Sequence, residues 1–233
     1  TLALSTFSYG ATTAPTSLTM EGGATTGASI TGSTGTLNLG GPVTVNSAGT
    51  GTSGATISAP VALRATRTFT VANDGTTAAD LTISGVVSGA TFGITKTGAG
   101  TLTLSGTNTY TGVTTINAGV LSVGTIGDGG VAGNLGQATN VAGNLVLGSG
   151  TLQYTGASAT TNRAFTLTAA TTSSIDVTTN NLTISGASAG TTGSLTKIGA
   201  GTLTLSGANA YTGVTTINAG VLSVGTIGDG GVA

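Results

Sequence analysis

The chemistry this chain could perform rests on very few side chains. Its 233 residues include six acids, five bases, no histidine and no cysteine. The acids are Glu21, Asp74, Asp80, Asp128, Asp176 and Asp229. Clustered carboxylates can hydrolyse glycosidic bonds, one protonating the leaving oxygen while another acts as base or nucleophile, and some parallel β-helices cleave polysaccharides with Arg or Lys assisting. Asp74 and Asp80 are the only close pair. They lie in the loop Asn73-Asp74-Gly75 and just before an apolar run, without a repeat counterpart, so turn and strand-edge roles account for both. Zinc-ligand spacing, a nucleophile elbow and a phosphate-binding loop are missing, and Gly-x-Gly matches carry no information in a chain with 42 glycines. The residues assign no catalytic, cofactor-binding or metal-ligating site. The chain is expected not to be an enzyme and to need no cofactor.

Other candidates divide between binding and structure. Lys96 and Lys197 occupy equivalent places before Gly-Ala-Gly. They read as solvated edge charges that discourage lateral sheet pairing rather than as a cationic row for a ligand. Gly127-Asp128-Gly129-Gly130 and its copy at Asp229 resemble calcium-binding turns, but one Asp per repeat is too sparse, and an ordinary Gly-rich turn is expected. Asn117 and Asn218, in Ile-Asn-Ala-Gly turns, are expected to point inward and satisfy backbone groups. Tyr110 and Tyr211 read as corner covers rather than sugar platforms. Outward Thr101 and Thr103 could present an ice-binding face, yet threonine is also simply a favoured strand residue, and that is the reading adopted.

The elements that must hold these residues are unusual in composition. Aromatic residues make up 3%, charged residues 5% and hydrophobic residues 38%, with a net charge of -1. Small aliphatics must fill the core, and there is no field to steer nucleic acid or hold an anionic membrane surface. Apolar runs are broken within a few positions, so a spanning helix of about 20 apolar residues is excluded. Neither nucleic acid nor membrane insertion is expected. Absence of cysteine fits an extracellular protein, and a chain opening at Thr1 without a signal peptide fits a processed or excised segment.

Self-similarity carries most of the information. Residues 98–132 return at 199–233 with only Thr107 and Thr109 replaced, by Ala208 and Ala210. The offset is 101 residues, and Leu81-Thr82-Ile83-Ser84-Gly85 recurs as Leu182-Thr183-Ile184-Ser185-Gly186 at that offset. Within each unit, short apolar runs start roughly 17 to 25 residues apart, as the coils of a solenoid would. In Thr101-Leu102-Thr103-Leu104-Ser105 the leucines share one parity and the hydroxyls the other, the pattern of a half-buried strand. Gly or Asn-Ala-Gly closes almost every run.

These features predict an all-β parallel β-solenoid of roughly 20-residue coils, about five coils and on the order of 24 Å per unit. The rival architecture is a pair of tandem antiparallel β-sandwiches. The chain divides into residues 1–60, divergent coils or a cap in which Phe7 and Tyr9 mark a possible strand, then 61–132 as the first unit and 133–233 as the second, in one continuous solenoid.

The stretch Leu195-Thr196-Lys197-Ile198-Gly199-Ala200-Gly201-Thr202-Leu203-Thr204-Leu205-Ser206-Gly207, continuing through Thr215-Thr216-Ile217-Asn218-Ala219-Gly220, resembles the autotransporter-associated β-strand repeat of secreted bacterial adhesins. Asn162-Arg163-Ala164-Phe165-Thr166-Leu167 is similar to that family's linking sequence. The resemblance implies a right-handed β-helix, export to the bacterial cell surface and no catalytic residue. The expected function is an extracellular structural one, a rod segment of a surface fibre, filament or adhesin stalk whose partners are copies of itself, end to end or side by side. The alternative is an adhesin module binding host or matrix glycans.

Overall fold

The computed structural model describes residues 2–4, 16–23, 25–46, 53–75 and 78–225; Phe7, Tyr9 and Asp229 lie outside them. Every pairing between named strands is parallel, which rules out the sandwich alternative. The strands wind into a β-solenoid. A ten-stranded sheet forms the first face, and a seven-stranded sheet forms the third. Between them lies the second face, a three-stranded sheet and, after turns that carry no strand there, a four-stranded one. Nine steps separate the ten strands of the first face, about 43 Å at the usual strand spacing of about 4.8 Å. The helical content of the described residues is one short 3-10 turn, Ala142–Asn144, and no helix is long and apolar enough to cross a membrane.

Alternation in the sequence becomes ladders in the core. On the first face, Ile30, Ile57, Ile83, Leu104, Val123, Tyr154 and Val177 stack in register and are all buried. Each such aliphatic side chain contributes about 1.5–3 kcal/mol on burial, so stacking small residues substitutes for an aromatic core. Glycines at the corners let coils approach one another. Gly119 has φ +65, and a Cβ there would lie 2.4 Å from the Gly98 carbonyl oxygen; Gly220 repeats this with φ +66 and 2.4 Å to the Gly199 oxygen.

Coil length is more variable than the sequence suggests. The register step is 19 residues from Thr101 to Val120 but 31 from Val120 to Thr151, because residues 124–144 form a long excursion on the second face. The unit also does not contain a whole number of coils. Leu81–Ile83, Thr101–Leu104 and Val120–Val123 lie on the first face, while their counterparts Asn181–Ile184, Thr202–Leu205 and Val221–Val224 lie on the second. Likewise Ile94–Thr97 and Thr114–Ile116 on the third face correspond to Ser194–Ile198 and Thr215–Ile217 on the first. One repeat therefore advances four turns and one face, not five coils. Identical sequences adopt identical strands and corners on different sides of the solenoid, because each strand packs the same kind of apolar ladder wherever it falls.

Candidate functional site: buried cations at the corners

The two lysines overturn their expected role. Lys96 and Lys197 are each fully buried, at 0% exposure, and are not edge charges. Strand parity explains the position: Lys96 shares a face with Ile94, and Lys197 with Leu195. Lys96 stacks between Phe69 below and Ile116 above, and Lys197 between Ile175 and Ile217. The methylene stem replaces an aliphatic core residue while the ammonium turns to the corner. There Lys96 Nζ donates to the carbonyls of Thr97 at 2.7 Å, Gly98 at 2.8 Å and Ala118 at 3.2 Å. Lys197 Nζ donates likewise to Ile198, Gly199 and Ala219 at 2.6, 2.8 and 3.3 Å. The third acceptor in each set belongs to the next coil, so each lysine ties two coils together.

Burial pushes the Lys96 ammonium down to about 8, with the charge of Asp80 acting in the opposite direction. Lys197 is also lowered by burial and opposed by Asp176. Both acids belong to the preceding coil, although they are not repeat equivalents. Asp80 is itself buried, and its two oxygens accept the N–H groups of Asp74 at 3.0 Å and Thr101 at 2.7 Å. The Asp74 and Asp80 pair thus closes a corner through the backbone, the turn and strand-edge role expected of it.

A third cation organises the long excursion. Arg163 is 4% exposed and donates from Nε to the Gly127 carbonyl at 2.8 Å, from Nη1 to Ala138 at 3.4 Å, and from Nη2 to Val131 at 3.3 Å and Gly136 at 2.7 Å. The turn at Asp128 is clamped to the same segment, since Asn162 N–H donates to Asp128 Oδ1 and Gly129 N–H donates to Asn162 Oδ1, both at 2.8 Å. Beneath this loop Tyr110 is fully buried, its hydroxyl 2.8 Å from Thr114 Oγ1. Burial pushes the Tyr110 hydroxyl up to about 12, against the bond to Thr114 and the Arg163 charge.

The remaining candidates are structural as well. Asn117 is exposed and does not point into the core. The buried asparagines among the described residues are Asn38, Asn108, which receives Val87 N–H and donates to the Asn134 carbonyl at 2.8 Å, and Asn134, which donates to the Gly106 carbonyl at 3.0 Å. Outward Thr56, Thr82 and Thr103 line up on the first face before Ser122, Gln153 and Asp176 continue the row, while on the third face Thr19, Thr44, Thr70 and Thr97 stack in one outward row beside a second of Thr68, Thr95 and Thr115. Glu21 accepts Asn46 Nδ2 at 2.7 Å, and Asp176 accepts Gln153 Nε2 at 2.9 Å. Among the described residues, no three His, Cys, Asp or Glu side chains gather where a metal could sit.

The strands around each buried-lysine corner match a known repeat family. The passenger-associated-transport-repeat family matches residues 94–123 and 195–224, each match containing one buried lysine and its corner glycine. The chain carries passenger-associated transport repeats. It is also 47% identical over 148 residues to the adhesin BmaC autotransporter of Brucella suis biovar 1 (strain 1330). That alignment covers 61% of this chain and 4% of that adhesin. No solved structure matches the chain significantly. Of the site residues, Arg163 falls outside both transport-repeat matches, in the segment between them.

Proposed function

We propose that this chain is a non-enzymatic, extracellular rod segment at a bacterial cell surface, built to stack with copies of itself. The observation that carries the reading is where the charges lie. Of five basic residues, Lys96, Arg163 and Lys197 are buried and Arg67 donates to the Leu39 carbonyl, so cations serve the backbone and leave the flanks nearly uncharged. Such flanks approach one another without stripping water from charges. A heterologous contact between coil ends does not close on itself and extends into a filament.

The relative's name supports the surface location and suggests a glycan-binding alternative. Sugar binding by stacking needs exposed aromatic rings, and every aromatic side chain among the described residues is buried or partly buried. Sedimentation velocity over a concentration series is expected to show growth in mass, with the midpoint concentration raised at least tenfold by Thr70→Asp, which places a charge on the exposed flank. A strictly monomeric chain that instead binds defined glycans would replace the structural reading with the adhesin one.

A further inference from the structure

The five basic residues, all of them among the described residues, differ in whether a protease selective for basic side chains can reach them. Such an enzyme must draw the side chain into a specificity pocket and lay the flanking residues along its cleft, so a buried base is cut only after the strands around it open. Lys96, Arg163 and Lys197 are buried and held by three, four and three carbonyls. Arg67 opens the strand Arg67–Val71, which is paired on both sides, and its Nε is held by the Leu39 carbonyl at 2.9 Å. Arg64 alone of the five is exposed. It follows Val61–Leu63, a strand of the three-stranded sheet whose pairing with Val87–Ser88 covers only two residues, and the chain bends at residues 64 and 65. Exposed bends are where proteolytic nicks concentrate. In the second unit, where Arg163-Ala164-Phe165 echoes Arg67-Thr68-Phe69, Thr160 stands in the place of Arg64, so the exposed base occurs once.

We propose that Arg64–Ala65 is the one bond of the folded chain open to proteases of trypsin-like specificity, and that cutting it gives a nicked segment whose two pieces stay bound. Hydrolysis consumes one water, its hydroxyl going to the Arg64 carbonyl carbon and its proton to the Ala65 nitrogen. Three strand pairs cross the cut: Val43–Asn46 with Arg67–Val71, Ala55–Ile57 with Leu81–Ile83, and Val61–Leu63 with Val87–Ser88. The bond from Arg67 to Leu39 crosses it as well. The pieces therefore meet through the same coil-to-coil pairing that joins uncut turns, and both transport repeats, residues 94–123 and 195–224, remain whole in the larger piece. The proposal does not depend on whether copies of the chain assemble.

Limited digestion of the full chain with trypsin tests this, read by mass spectrometry of the fragments and by size-exclusion chromatography without denaturant. The expected products are residues 1–64 and 65–233, eluting together at the volume of the uncut chain. Cleavage after the other four bases should be slower by about a hundredfold or more, because each needs its strands to open first. Arg64→Gln should leave the native chain uncut over the same time, and Arg64→Lys should be cut as the natural chain is. Chain unfolded by heat beforehand should be cut after all five bases, which shows that folding and not local sequence protects them. Cleavage at Lys96, Arg163 or Lys197 as fast as at Arg64, a native chain that stays uncut while the unfolded one is digested, or separation of the two pieces on the column overturns the proposal.

Discussion

Raising the pH from 8 to 10 is expected to stabilise this chain against urea by about 2 kcal/mol. Lys96 ionises near 8 in the fold and near 10.5 in the unfolded chain. Between those values the unfolded state binds the proton and the folded state does not, so stability rises with pH across the window. Lys197 acts in the same direction. Above about 10.5, once the unfolded lysines have also lost their protons, the trend reverses, because Tyr110 stays protonated in the fold up to about 12 while the unfolded tyrosine loses its proton near 10. Urea midpoints at pH 7, 8, 9, 10 and 11 check this. In Lys96→Met, which keeps the stem in the Phe69 to Ile116 stack but carries no charge, the rise should shrink by at least half. A flat profile in the natural chain would mean that its ammonium groups are better solvated than the corner geometry shows.

Arg163→Met is expected to cost about 3–5 kcal/mol, with the loss concentrated in the excursion of residues 124–144. The guanidinium is the common donor to four carbonyls of that loop, and without it those oxygens are left facing a buried, apolar side chain. Ile126, Leu135 and Ala138, which the loop buries, would loosen with it. Hydrogen exchange should speed up at Gly130 and Gly136, whose N–H groups bond within the loop, and remain slow at the first-face strands Leu81–Ile83 and Thr101–Leu104. Arg163→Lys should recover only part of the loss, since a compact ammonium cannot span four acceptors spread across the turn.

Much of this fold is written in residue parity. Thr-Leu-Thr-Leu at 101–104 declares its buried face, and the Gly and Asn-Ala-Gly turns mark the corners. The same parity places Lys96 with Ile94 and Arg163 with Phe165, so the inward cations were readable; the general rarity of buried charge argued against taking the pattern literally. Asn117 misled because a turn asparagine beside glycine resembles a ladder residue, whereas Asn108 sits in a stretch without strand alternation. The four-turns-and-one-face advance could not be read at all. It depends on the summed lengths of excursions such as residues 124–144, and those lengths are fixed by three-dimensional contacts to Arg163 and Tyr110 rather than by any local period.

Inward cations and nearly uncharged flanks are what support the proposed stacking of this segment with copies of itself. The repeat's advance by one face gives successive units the same corners at successive sides, so an array would present no single privileged flank. Electron microscopy of the purified chain over a range of concentrations tests this most directly. Unbranched rods of constant width are expected, lengthening with concentration and carrying an axial repeat at a multiple of about 4.8 Å. Dispersed particles of fixed length at every concentration would contradict it.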